Sequence, residues 1–331
     1  MKSAADPAPR RLAVIGAGAW GTALALQALR AGNDVALWVR TAEGAARLQG
    51  ENRNPRLPGA ALTGLRITHA AEDALAGATI AVLAVPLQHL RATLGALPPL
   101  PPAVLVSKGV ETGTLCLPIE VLRARAPTLP AAVLSGPNFA HEVAAGLPAA
   151  AVVASDDAGL RAEACERLGT GAFRLYPGSD PTGVQLCGAA KNVVAIAAGA
   201  AMGAGLGENA RAALVSRALA EIARLVAALG GRVETASGLS GLGDLLLTCT
   251  GTSSRNFRLG HALGQGSTPA EALAASSGVA EGAATAPALV ARARAAGVEL
   301  PVCEAVVAVL AGALSVPAAV TRLLERPRRE E

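Results

Sequence analysis

The chain has 331 residues, 52% of them hydrophobic and 16% charged, with aromatic residues at only 2%. This composition excludes an extensively disordered protein and supplies apolar surface for two cored domains. The net charge of +4 forms no basic stripe with interleaved aromatics, which argues against a nucleic-acid partner.

Residues 1–10 carry no apolar stretch and read as a loose tail rather than a signal peptide, so a cytoplasmic location is expected. Next comes RLAVIGAGAWGTALALQAL, residues 11–29: a β-branched run, the triplet Gly16, Gly18 and Gly21, then an Ala/Leu-rich helix. In such a strand, turn and helix, Gly16 permits the turn, Gly18 lets backbone approach a pyrophosphate and Gly21 allows close packing of helix on strand. A lone GxGxxG arises by chance in Ala/Gly-rich chains; the flanking pattern is what gives it weight.

A second strand over 35–39 follows a Gly32-Asn33-Asp34 turn and runs out at Arg40. A site built for NAD places Asp or Glu there to bind the ribose hydroxyls, whereas an arginine pairs with the 2′-phosphate of NADP. NADPH is therefore expected in preference to NADH; the alternative for Arg40 is a solvated loop charge. Further strands are predicted over 65–68, 79–85, 104–107, 132–135 and 150–154. Their alternation with helical stretches implies an α/β domain with a doubly wound, largely parallel Rossmann-type sheet over 11–181. Its carboxyl edge would carry Val85-Pro86, Ser107-Lys108-Gly109 and Ser135-Gly136-Pro137-Asn138.

The Tyr176-Pro177-Gly178-Ser179-Asp180-Pro181 break marks the boundary, and an all-α domain is expected over 182–325, with 326–331 as a second tail. Helices are predicted over 183–206, 209–229, 242–249, 269–274, 287–296 and 303–314. The longest uncharged apolar run, 193–206, is too short to cross a bilayer and reads as a buried helix. Five cysteines, Cys116, Cys165, Cys187, Cys249 and Cys303, show no CxxC spacing; they read as reduced, buried thiols, without a zinc site or disulfide framework.

Of the 29 lysine and arginine residues only Lys2, Lys108 and Lys191 are lysine. Where arginine is so strongly preferred, an internal lysine suggests a need for a compact, deprotonatable amine. Lys191 follows Gly188-Ala189-Ala190, and burial in such surroundings lowers an amine's pKa toward the range useful for proton transfer. A lysine snorkelling to water is the alternative. In SGLSGLGDLLLTCTGTSSRN, residues 237–256, Asp244 could orient Lys191, bind a substrate hydroxyl or cap the following helix. Ser253, Ser254, Arg255 and Asn256 suit a phosphate or another polyoxygenated anion.

With these residues in view the chain resembles bacterial NAD(P)-dependent glycerol-3-phosphate dehydrogenases over nearly its whole length. The resemblance rests on GAGAWGTALA, VPLQHL, SKGVE, SGPNFAHEVA, GAAKNVVAIAAG, GENARAALVSRALAE, GLSGLGDLLLTCTGTSSRN and VAEG. It implies that Lys191 donates and accepts the proton, and that Lys108, Gly136, Asn138, Asp244, Ser254, Arg255 and Asn256 surround the glycerol phosphate. Ala19, Trp20, Arg40, Lys108, Ala140, Arg255, Val279 and Glu281 would then join the glycine turn in contacting NADPH, or NADH in its place. The substrate pair implied is dihydroxyacetone phosphate and sn-glycerol 3-phosphate, feeding phospholipid biosynthesis. A homodimer is expected, without metal, nucleic acid or membrane insertion.

Departures from the family pattern are small. Asn138 stands where Thr or Ser is usual, AAKN replaces ALKN, and His141 replaces Lys or Arg and should be peripheral. A β-hydroxyacid dehydrogenase or ketopantoate reductase shares the arrangement of a Rossmann half and a helical half with a lysine, but acts on a carboxylate. A dinucleotide sensor without turnover is the reading from another class.

Overall fold

A computed structural model of the chain describes residues 10–275 and 280–327. They fold into two compact units. The first comprises 10–107, Ile119–Leu134 and Asn138–Ser179; the second comprises Lys108–Pro118, Ser135–Pro137 and the chain from Asp180 onward.

The first unit is built on ten strands: β1 Arg11–Ile15, β2 Asp34–Trp38, β3 Arg53–Asn54, β4 Leu57–Ala61, β5 Arg66–Thr68, β6 Ile80–Leu83, β7 Ala103–Leu105, β8 Ala131–Ser135, β9 Ala149–Ala154 and β10 Phe173–Gly178. Eight form one sheet in the order β10-β9-β8-β7-β6-β1-β2-β5. The registered pairs β2–β5, β1–β2, β1–β6, β6–β7, β7–β8 and β9–β10 are all parallel. Strands β6, β7 and β8 are buried at every residue, because both faces of a parallel sheet are covered by its crossovers. The doubly wound Rossmann architecture expected from the alternation is thus present, and chain order reverses between β1 and β6, the position at which such sheets bind ligands.

In this unit a hairpin and an edge strand were not legible. The antiparallel hairpin β3–β4 reads LPGAA on its longer strand, with no period-2 pattern to announce it. Strand β10 runs through Tyr176-Pro177-Gly178, the segment read as a domain break; it lies at the sheet edge and pairs only with β9, where a proline's missing N–H costs no ladder bond.

The turn after β1 leaves little choice of residue. Gly16 has φ +114°, and a Cβ there would lie 2.6 Å from the Ala84 carbonyl oxygen after β6. A Cβ on Gly21 would overlap the Gly16 carbonyl oxygen and press on Ala84. Gly21→Ala is accordingly expected to destabilise the protein by about 1–3 kcal/mol through overpacking and to weaken NADPH binding. Urea unfolding and fluorescence titration of NADPH measure both, and unchanged values would mean that the helix can lift off the strand at no cost.

The second unit is helical. Its central helix, Pro181–Gly203, begins with proline at the first turn, and the Asp180 carboxylate accepts from the backbone N–H of Gly183 at 2.8 Å. Asp180 also accepts from Arg232 N at 2.8 Å and Thr235 Oγ1 at 2.6 Å, which secures the segment after the next helix, Gly207–Ala228. The helix predicted over 183–206 instead spans Pro181–Gly203, and Lys191 sits mid-helix. At 23 residues this helix is long and apolar enough to cross a bilayer, unlike the shorter run judged from sequence, yet 78% of its apolar window is buried within the protein. It is a core helix.

Against it packs Arg255–Gly264, a helix the sequence reading did not separate from the Ser/Arg/Asn cluster. Added Cβ atoms on Gly199 or Gly260 would overlap the other helix's backbone carbonyls, so these glycines set the close approach. The helix predicted from Pro287 instead spans Glu281–Ala295 and carries Pro287 inside it, at an exposed position. Cys187, Cys249 and Cys303 are buried free thiols as expected, but Cys116 and Cys165 are only partly buried.

Candidate active site

In the second unit Lys191 extends from the middle of the central helix and is 8% exposed. Its Nζ donates to Asp244 Oδ1 at 2.5 Å and to Thr248 Oγ1 at 3.0 Å. Lys108, from the loop Lys108–Pro118 that belongs to this unit, donates to the other Asp244 oxygen, Oδ2, also at 2.5 Å. One carboxylate with no exposed surface thus holds both internal lysines.

Asp244 owes its position to the Gly-rich run before it. Leu239–Gly243 forms a π-helical turn, and a Cβ on Gly241 would overlap the Ala236 carbonyl, so the turn closes only on glycine. Helix Asp244–Cys249 follows with Gly243, not Asp244, at its cap position; the capping role considered for Asp244 is therefore not the one it plays. Thr248, one turn on, donates to the Asp244 carbonyl at 2.6 Å while accepting from Lys191. Sequence reasoning passed over Thr248, although its i+4 spacing from Asp244 puts both on one helix face.

Burial is the largest influence on the Lys191 amine and takes its pKa from 10.5 down to about 8. The Asp244 carboxylate opposes that shift and the neighbouring Lys108 cation adds to it. Glu281, at the start of its helix, has its carboxyl raised by burial, against the pull of Arg255, Lys108 and Lys191.

Ser254, Arg255 and Asn256 are brought to one helix terminus, but not as three free donors. Ser254 caps the helix by accepting from Phe257 N at 3.2 Å, and Asn256 Oδ1 accepts from Gly282 N at 3.0 Å at the start of the helix Glu281–Ala295. Both are buried; Arg255, the first helical residue, is exposed. A cation at the positive end of a helix is unfavourably placed unless an anion lies between them.

In the first unit a Cβ on Gly18, the cap of helix Ala19–Arg30, meets nothing within 4 Å. Open space over a backbone cap, above the packed Gly16 and Gly21, fits a dinucleotide diphosphate. The turn is held by Asn54 of the unforeseen hairpin, whose Nδ2 donates to Ala17 O at 3.1 Å and to Thr22 Oγ1 at 2.7 Å. Trp20 is half-buried and Arg40 exposed, two residues beyond β2. Asn138 donates to Ala150 O at 3.3 Å and leaves its Oδ1 buried without a partner. Gly136 is buried, Ala140 begins the helix Ala140–Ala145, and His141 beside it is exposed and stacks on Phe139. Val279 lies outside the described residues. Among the described residues no three His, Cys, Asp or Glu side chains gather to hold a metal.

Comparison with known proteins agrees with this organisation. Residues 11–161 match the model of the NAD-dependent glycerol-3-phosphate dehydrogenase N-terminus, and 180–321 match that of the C-terminus. A glycerol-3-phosphate dehydrogenase [NAD(P)+] from Acidiphilium cryptum is 54% identical over 96% of this chain and 98% of its own length. One from Bradyrhizobium is 50% identical over 97% and 98%. The crystal structure of glycerol-3-phosphate dehydrogenase from Coxiella burnetii superposes with a TM-score of 0.91 at 38% identity, covering 97% of this chain and all of the other. A ketopantoate reductase from Ralstonia eutropha, at 16% identity and a TM-score of 0.55, shares the fold alone. Matches across both halves, at these identities and coverages, place the chain in the NAD-dependent glycerol-3-phosphate dehydrogenase family.

Proposed function

We propose that this protein is an sn-glycerol-3-phosphate dehydrogenase that reversibly reduces dihydroxyacetone phosphate, with NADPH preferred over NADH. The observation that carries the reading is the buried Lys191 amine, at a pKa of about 8, fixed by Asp244 and Thr248. Such an amine is mostly protonated at neutral pH yet keeps a minor neutral fraction, so it serves as acid in one direction and base in the other. The bound nicotinamide cofactor supplies or accepts the hydride at C2. Lys191 protonates the oxygen as it becomes an alkoxide, and takes that proton back in the reverse reaction. Arg255 at the helix terminus holds the phosphate, with Ser254 and Asn256 shaping that terminus, and Lys108 and Asp244 complete the polar shell.

Gly16, Gly18, Ala19, Trp20 and Gly21 would receive the cofactor, with Arg40 on its 2′-phosphate, and Ala140, Val279, Glu281, Lys108 and Arg255 as further contacts. A homodimer, a cytoplasmic location and supply of the phospholipid backbone complete the reading by family resemblance. NADPH oxidation by the purified protein with dihydroxyacetone phosphate, unphosphorylated dihydroxyacetone and ketopantoate tests it. Turnover confined to the phosphorylated ketone is expected; turnover with ketopantoate would move the chain to the reductases, and NADPH binding without turnover would make it a sensor. Arg40→Asp is expected to raise the NADH to NADPH ratio of kcat/KM at least tenfold, through loss of a charge-assisted phosphate contact. An unchanged ratio would show that Arg40 is a solvated charge and no more.

A further inference from the structure

We propose that Ser135 contacts the substrate and recognises its uncharged alcohol end, a role that rests on the function proposed above. Ser135 ends strand β8 and belongs with the helical unit. It is 4% exposed, and its Oγ is buried without a hydrogen-bond partner. Thr248 binds Lys191 and the Asp244 carbonyl, and Ser254 caps its helix, so neither hydroxyl is free; Ser107 Oγ, before Lys108 and in the first unit, is the other serine hydroxyl buried without a partner among the described residues. A buried hydroxyl without a partner is a net cost to the fold, so its presence calls for a reason.

Its surroundings supply one. A Cβ on Gly188 would stand 3.2 Å from Ser135 Oγ and 3.4 Å from Lys108 Cγ, so the central helix leaves room beside this hydroxyl where any other residue would crowd it. Gly188 lies three residues before Lys191 and therefore on the same helix face. Ser135 Oγ thus flanks the Lys108 stem on the side of the helix that carries the proton donor. The occupant it suits is neutral. Both nearby ammonium groups are drawn to Asp244, and the guanidinium suited to a phosphate is Arg255 at a helix terminus. With the ketone oxygen assigned to Lys191 and the phosphate to Arg255, the C1 hydroxyl of dihydroxyacetone phosphate is the remaining polar group, and a serine hydroxyl can both donate to it and accept from it.

Ser135→Ala tests this with a sign that a structural role would not give. Removing an unpartnered buried hydroxyl should leave the thermal midpoint of the free protein unchanged or raised, while kcat/KM for dihydroxyacetone phosphate falls about tenfold. With hydroxyacetone phosphate, which has hydrogen in place of that hydroxyl, wild type and variant should turn over alike. Equal kcat/KM for dihydroxyacetone phosphate in the two proteins would overturn the proposal, as would a lowered midpoint accompanying the loss, or the same loss with both substrates. Absence of wild-type turnover would remove the underlying function and this role with it; wild-type turnover with an unaffected variant removes this role alone.

Discussion

Lys191→Met is expected to lower kcat for dihydroxyacetone phosphate reduction by about 10²–10⁴, the usual worth of a positioned general acid, while NADPH affinity stays within about twofold. Methionine keeps much of the apolar stem in the packed interior of the central helix and removes only the amine. Asp244 retains Lys108 as a cationic partner, so no isolated carboxylate is left behind. The glycine turn proposed to take the cofactor lies in the other compact unit, which is why binding and turnover should separate. Stopped-flow hydride transfer beside a fluorescence titration reads the two quantities, and a near wild-type rate would remove Lys191 as the acid.

The pH dependence follows from the same amine. With its pKa at about 8, reduction needs the protonated form and should fall as pH rises through about 8. Oxidation of sn-glycerol 3-phosphate needs the neutral form and should rise over that interval. The stability linkage has an unusual sign for a lysine. Because the folded pKa lies below the unfolded value of 10.5, the unfolded chain binds more protons between about 8 and 10.5. Lys191 therefore costs stability below pH 8, and that cost is relieved as pH rises toward 10.5.

The parts of this protein that were legible in the sequence are those whose chemistry is written in local spacing. Gly16, Gly18 and Gly21 announced a turn because each meets a different steric demand of one strand-turn-helix unit, and the structure shows Gly16 and Gly21 in close packing with Gly18 open. The scarcity of lysine singled out Lys108 and Lys191 before any geometry was known. What stayed hidden depends on contacts distant in sequence. The Asn54 clamp on Ala17 spans 37 residues and sits on a hairpin without alternation. The helix Arg255–Gly264 was missed although it buries Phe257, Leu259 and Leu263, and its close approach to backbone carbonyls of the central helix rests on glycines that no local pattern announces. The competing duties of Ser254 and Asn256 were equally invisible, since a capping serine and a ligand-binding serine look alike until the recipient N–H is known.

Asp244→Asn should damage stability and chemistry together, and pH separates the two effects. The substitution keeps the side chain's shape and removes the single charge that faces both lysine amines at 2.5 Å. Breaking a buried ion pair from one side commonly costs about 3–5 kcal/mol, because the partner left behind is an uncompensated buried charge. Here two amines are left, and the Lys108 cation disfavours protonation of Lys191. Since Asp244 is the group that raises the Lys191 pKa against burial, its loss should drive that pKa further below 8. The unfolded chain would then bind more protons than the folded one over a wider interval, so the stability deficit should be larger at pH 7 than at pH 9. The alkaline fall in the reduction rate should move to lower pH by the same displacement. Urea unfolding at pH 7 and pH 9, beside pH–rate profiles of the variant, measures both shifts. A deficit equal at both pH values would mean that Lys191 binds its proton equally well without Asp244, and an unmoved rate profile would mean that the carboxylate orients Lys191 without setting its proton affinity.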